Sequence, residues 1–139
     1  MTLRVFAVVI AAICVCATGC AVQGDPFSRA DIPPGSAVVY VYRPYSYAGS
    51  LLTPEVTCAD QTAKIGPGGY HAFIVPASNT TCRVQGGESA DEIAIDPSPR
   101  VHYIREEIGW GFMIGHPHLD PIDSDEAQTE IQHCCVEQP

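Results

Sequence analysis

Residues Ser36–Arg43 constrain this chain most, because apolar side chains occupy both faces of the segment. Ala37, Val39 and Val41 alternate with Val38, Tyr40 and Tyr42, so an extended backbone presents carbon on either side. That pattern is expected of a central strand, and Pro44, which cannot donate to a ladder, ends it. Further short runs at Glu55–Cys58 and at residues 62–65, 70–75, 80–85, 92–95 and 101–108 have the composition of strands. Ala59-Asp60-Gln61, Gly66-Pro67-Gly68-Gly69 and Pro97-Ser98-Pro99 supply turn material between them. The spacing predicts an all-β fold, a small β-sandwich of about seven short strands. One C-terminal α-helix is expected from Asp123, a natural cap, with Glu126 placed to close a capping box. Ala127, Ile131, Cys134 and Cys135 then share one buried face. There the adjacent cysteines are expected to pack against the sheet rather than bond to each other.

The N-terminus reads differently. Arg4 precedes an uncharged apolar stretch, residues 5–16, and Ala17-Thr18-Gly19 are small residues of the kind found before a signal-peptidase cut. The apolar stretch is shorter than the ~20 residues needed to cross a bilayer, so a cleaved leader is expected rather than a transmembrane helix. Cys14 and Cys16 leave with it. The residue after the cut is Cys20, and the segment resembles the lipobox of bacterial lipoproteins. In that motif the cysteine receives a diacylglyceryl group on sulfur and an acyl group on its new amino terminus. The expected organisation is a signal peptide over 1–19, a lipidated cysteine and flexible tether over 20–35, and the sandwich domain over 36–139. Pro26, Pro33 and Pro34 break the tether, whose reach as a flexible coil is about 20 Å.

A chain of 139 residues with a net charge of -9 suits one acidic domain. Lys64 and the scattered Arg29, Arg43, Arg83, Arg100 and Arg105 form no basic cluster, which argues against a nucleic-acid partner. In an oxidising compartment Cys58 and Cys82, each in a strand-like run, are the expected disulfide, stabilising the fold by roughly 3 kcal/mol through loop closure. No C-x₂-C spacing marks a structural zinc site.

His116-Pro117-His118-Leu119-Asp120 is the sharpest enzyme-like pattern, because alternate residues of an extended segment share a side and His116, His118 and Asp120 are weak metal candidates. His102 or Asp123 would have to complete such a set; metal-free surface-loop histidines are the expected reading, with no cofactor. No G-x-S-x-G elbow activates a serine. Glu106 and Glu107 are adjacent on a strand and point to opposite faces, so they do not make a glycosidase pair. Residues 109–115 alternate glycine with Trp110, Phe112 and Ile114, which fits a close-packed core strand or an aromatic loop touching a membrane or partner, the core strand being expected. Trp110, Phe112 and Arg43 are the partner-binding candidates. Arg43 can hold a carboxylate, although an arginine ending a strand usually forms a local ion pair.

The string Tyr40-Val41-Tyr42-Arg43-Pro44, the Ile65-Gly66 and Gly69-Tyr70 turn region, the Val101-x-Tyr103 strand and the acidic helix containing Ala127 resemble one group. It is the small bacterial lipoproteins built on a domain of unknown function with a YVYRP-type first strand. The resemblance implies an exported, lipid-anchored β-sandwich and brings no substrate, cofactor or catalytic residue. The expected role is therefore non-enzymatic, in the bacterial cell envelope. The protein is expected to be held to the outer membrane by lipid on Cys20, to face the periplasm and to meet an envelope protein or cell-wall component. A metal-dependent enzyme and an inhibitor of an envelope enzyme are the alternatives.

Overall fold

The Ser36–Arg43 segment, β1, lies in the middle of a five-stranded sheet. This is a computed structural model, and it describes residues 24–96, 100–110 and 115–139. Among those residues β1 is followed by β2 (Glu55–Cys58), β3 (Gln61–Lys64), β4 (Gly69–Pro76), β5 (Thr80–Gly86) and β6 (Ser89–Ile95). Then come β7 (Val101–Gly109), β8 (His116–Pro121), helix α1 (Ser124–Cys134) and β9 (Val136–Glu137). The larger sheet has the order β8-β7-β1-β4-β9, and the smaller has β3-β2-β5-β6. β1 runs antiparallel to β4 and parallel to β7.

Two apolar layers follow from the two faces of β1. Ala37, Val39 and Val41 meet Phe73 and Val75 of β4, Ile104 of β7, and Val56 and Val84 of the smaller sheet, which makes the sandwich interior. Val38, Tyr40 and Tyr42 turn outward with Tyr70 and Tyr103, and α1 covers them through Ala127 and Ile131. The expected sandwich with one C-terminal helix is thus present, and the helix adds a third layer.

Cys58 and Cys82 stand directly opposite each other in the β2–β5 ladder, with Cα atoms 4.1 Å apart, and are joined in a disulfide inside the sandwich. Cys134 and Cys135 are also bonded, to each other, which corrects the expectation of an unbonded pair. Cys135 is still buried against the tyrosine layer, so the packing role and the bond coexist. Asp123 occupies the helix N-cap, but its side chain makes no capping hydrogen bond, so the capping box does not form.

β8 and β9 were not expected as strands. Pro117 and Pro121 disguise β8, and it tolerates them because it is the edge strand of its sheet. β9 is only two residues long and is defined by its partner Gly69 rather than by any local pattern.

The tether expected over 20–35 is narrowed by its described part. Phe27 sits edge-on between Tyr40 and Tyr70, at ring distances of 5.4 and 5.5 Å. Ala30 N donates to Tyr40 Oη at 2.7 Å, Glu137 N donates to Asp25 O at 2.8 Å, and Arg100 holds the carbonyls of Ile32 and Pro33. Residues 25–33 are therefore part of the outer layer. Because Phe27 is only partly buried, Phe27→Ala is expected to cost about 2 kcal/mol, below the ~3–5 kcal/mol for a fully buried ring. Urea unfolding measures that loss, and amide exchange at Ala30 should accelerate with it; an unchanged exchange rate would mean that the ring does not hold the segment.

Candidate functional site

β1 and β7 are parallel neighbours, so both finish at the same end of the sandwich. Tyr42 lies opposite Arg105, which brings the next pair, Arg43 and Glu106, side by side on the interior face. Both are buried, at 2% and 1% exposure. Arg43 Nη1 donates to Leu52 O at 2.8 Å and Nη2 to Gly49 O at 2.6 Å, so the guanidinium fastens the loop that follows β1. A Cβ on Gly49 would lie 2.6 Å from Ile108 Cγ2, and the residue has φ +69°, so the loop backbone can lie this close to β7 only with glycine there.

Glu106 is less well served. Its Oε1 is 4.0 Å from Arg43 Nη1, a coulombic neighbour beyond hydrogen-bonding reach, and neither carboxylate oxygen has a hydrogen-bond partner among the described residues. Burial pushes its pKa up to about 7, and Arg43 offsets only part of that rise. A cavity of about 190 Å³ adjoins the pair, lined also by Ser46, Ala48 and Glu107. As expected, Glu106 and Glu107 face opposite ways: Glu107 is outside, 2.8 Å from Arg105 Nε.

Above this buried pair the surface turns apolar. Tyr45, Tyr47 and Leu51 of the loop are 71, 86 and 96% exposed, and Trp110, just past β7, is 85% exposed. β7 runs on towards Trp110 beyond the last residue that β1 pairs with it, since Gly109 lies four positions after Arg105, about 13 Å further along the strand.

The candidates read from sequence divide at this point. Trp110 is exposed, against the core position expected for it, and residues 111–114 of the glycine-aromatic run lie outside the described residues. Phe112 and Cys20 lie outside the described residues. Arg43 is corrected as a partner contact: its charge is spent inside on two carbonyls and Glu106, in keeping with the local ion pair. His116, His118 and Asp120 do share the exposed face of β8. His102 and Asp123 instead line a cavity of about 420 Å³ towards the other end, and His102 is seven positions from Gly109, the partner of His116, or about 23 Å along β7. Among the described residues no three His, Cys, Asp or Glu side chains gather to hold a metal ion.

His118 instead leans towards Asp91 of β6, with Nδ1 3.6 Å from Oδ2. The same oxygen accepts Leu119 N–H at 2.9 Å, and this bond is the main reason the Asp91 carboxyl sits below its usual pKa. Asp91 thus ties the edge of the larger sheet to the smaller one. Tyr47 and Leu51 carry no mark in the sequence, and Tyr45 stands out there only as an aromatic neighbour of Arg43, because all three lie in a turn-rich segment without periodicity; the one local signal is their size in a loop.

On the helix side, Tyr42 Oη donates to Glu130 Oε2 at 2.6 Å, and Arg105 Nη1 reaches Glu130 Oε1 at 3.1 Å. Burial, reinforced by Glu130, raises the Tyr42 pKa, so the phenol stays a donor. The Y-V-Y-R-P string therefore has a physical account: two tyrosines for the helix layer, a valine for the interior, an arginine for the loop and a proline to stop the strand.

Fold and site together define a three-layer β-sandwich with a disulfide in its interior and an exposed aromatic end. Comparison of the chain with protein-family models, with curated proteins and with solved structures finds no match.

Proposed function

We propose that this is a lipid-anchored protein of the bacterial envelope, held by acyl groups on Cys20 at the periplasmic side of the outer membrane, and that it acts by binding rather than by catalysis. One observation carries most weight. The described core is paired as far towards the N-terminus as Asp25, through Glu137 N to Asp25 O and the bridge between Pro26 and Val136, so the pairing shown lies wholly after the proposed cut and survives in the mature chain. The leader pattern and the resemblance to YVYRP-type lipoproteins support the same address, and Ala21, rather than an aspartate, after the cysteine favours the outer membrane. Exposed aromatic side chains on a fastened loop support a role in contact rather than in chemistry. Among the described residues no helix is long and apolar enough to cross a membrane, so in this reading attachment falls to the lipid.

Burying one CH₂ contributes about 0.8 kcal/mol, so a multiply acylated cysteine holds its protein almost permanently. In cells fed a labelled fatty acid, the intact chain is expected to carry the label and sediment with membranes. Cys20→Ala should lose the label. An unlabelled intact chain, free in periplasmic extract, would refute the proposal.

A further inference from the structure

All the large apolar side chains that stand exposed among the described residues, Tyr45, Tyr47, Leu51 and Trp110, belong to one end of the sandwich. The N-terminal segment arrives at that same end. Arg43 lies opposite Gly69, Gly69 is paired with Val136, and Gly24 touches the backbone of Glu137, so the chain enters the fold beside the close of β1. We infer that this end is a seat for a lipid bilayer, with the tyrosines, Leu51 and Trp110 resting in the headgroup boundary.

The inference rests on the proposed acylation of Cys20, and chain length then does the orienting. Only four peptide steps separate Cys20 from Gly24, a reach of at most about 14 Å. β1 alone, with eight residues, is about 26 Å long, so the opposite end of the sandwich cannot be brought to the bilayer in place of this one without releasing residues 25–33 from the outer layer. Tyrosine and tryptophan are the residues that favour the membrane boundary, where an apolar ring and a polar tip are both satisfied. The loop is also held ready: Arg43 pins it at Gly49 and Leu52, so little ordering cost remains on contact. Charge does not supply the attraction, because the protein is strongly acidic and Asp25 and Glu137 flank the entry. The occupant is accordingly a neutral or zwitterionic lipid surface.

Trp110 is the chain's single tryptophan and reports on its own position. The full chain, purified from membranes, is reconstituted in phosphatidylethanolamine–phosphatidylcholine vesicles containing a lipid with a quencher near the headgroup. The mass of the N-terminal peptide is read from the same sample. Blue-shifted Trp110 emission, quenched by the lipid and shielded from iodide, is expected. Tyr47→Ser combined with Leu51→Ser should weaken lipid quenching about threefold without changing the circular dichroism, since both positions are exposed. An acylated chain whose Trp110 stays open to iodide and unquenched overturns the seat and leaves the anchor standing. An unacylated chain that is quenched sinks the anchor but retains the seat, and an unacylated, unquenched chain removes both.

Discussion

Arg43→Met is expected to destabilise the protein by about 3–5 kcal/mol at pH 8, the range for removing one partner of a buried ion pair. Methionine fills much of the same space, so the loss is not chiefly one of packing. It has two parts. The carbonyls of Leu52 and Gly49 lose their donors, at roughly 1 kcal/mol or more each, and the 44–54 loop loses its fastening. Glu106 is then left buried with no cation near it, and its pKa moves further up. The second part operates only where Glu106 is ionised. The loss should therefore shrink at pH 5, where the carboxyl is already neutral in the folded chain. Urea unfolding at both pH values measures this, and limited proteolysis within residues 44–54 reports the freed loop. Equal losses at pH 5 and 8 would show that Glu106 does not feel Arg43.

Glu106→Gln has the opposite sign. The folded pKa of Glu106, about 7, stands above its ordinary 4.5, so between those values the folded chain holds a proton that the unfolded chain has released. Stability then falls as pH rises through that window. Below 4.5 the group contributes nothing, and above about 7 its full cost is present, on the order of 3 kcal/mol from 1.36 kcal/mol per pKa unit. Glutamine stays neutral throughout and keeps the shape. The variant should match the parent near pH 4.5 and exceed it by up to about 3 kcal/mol at pH 8, read as the difference between the two unfolding curves so that other titrating groups cancel. A constant difference across this range would mean that the carboxylate is solvated after all.

These two residues also mark where sequence reasoning stopped. That Glu106 and Glu107 face opposite ways is legible in the sequence, because alternation is a property of any strand. Which face was interior, and that an acid would be enclosed there, depended on Arg43 standing one strand away. Arg43 in turn reads as a surface residue until the loop carbonyls at 49 and 52 are seen to close over it. That the histidines of β8 share one side is legible in the same way, yet the neighbour of His118, Asp91, comes from β6, distant in the chain. Tyr45, Tyr47 and Leu51 carried no period at all; their common position with Trp110 is a consequence of β1 and β7 running parallel.

By itself the sequence determined the strand segments from Ser36 to residue 108, the helix with its Ala127 and Ile131 face, and the cysteines that sit across one ladder. All of these rest on local chemistry: a period of two or 3.6, and turn residues that stop it. Tertiary structure alone decided the strand order, the fastening of Phe27 against Tyr40 and Tyr70, the bond between Cys134 and Cys135, the enclosure of Arg43 with Glu106, and the gathering of exposed aromatics at the end where the chain enters. Each of those depends on which distant segments become neighbours. The free energy of a charge or a ring is set by what surrounds it, and no short window of sequence contains its surroundings.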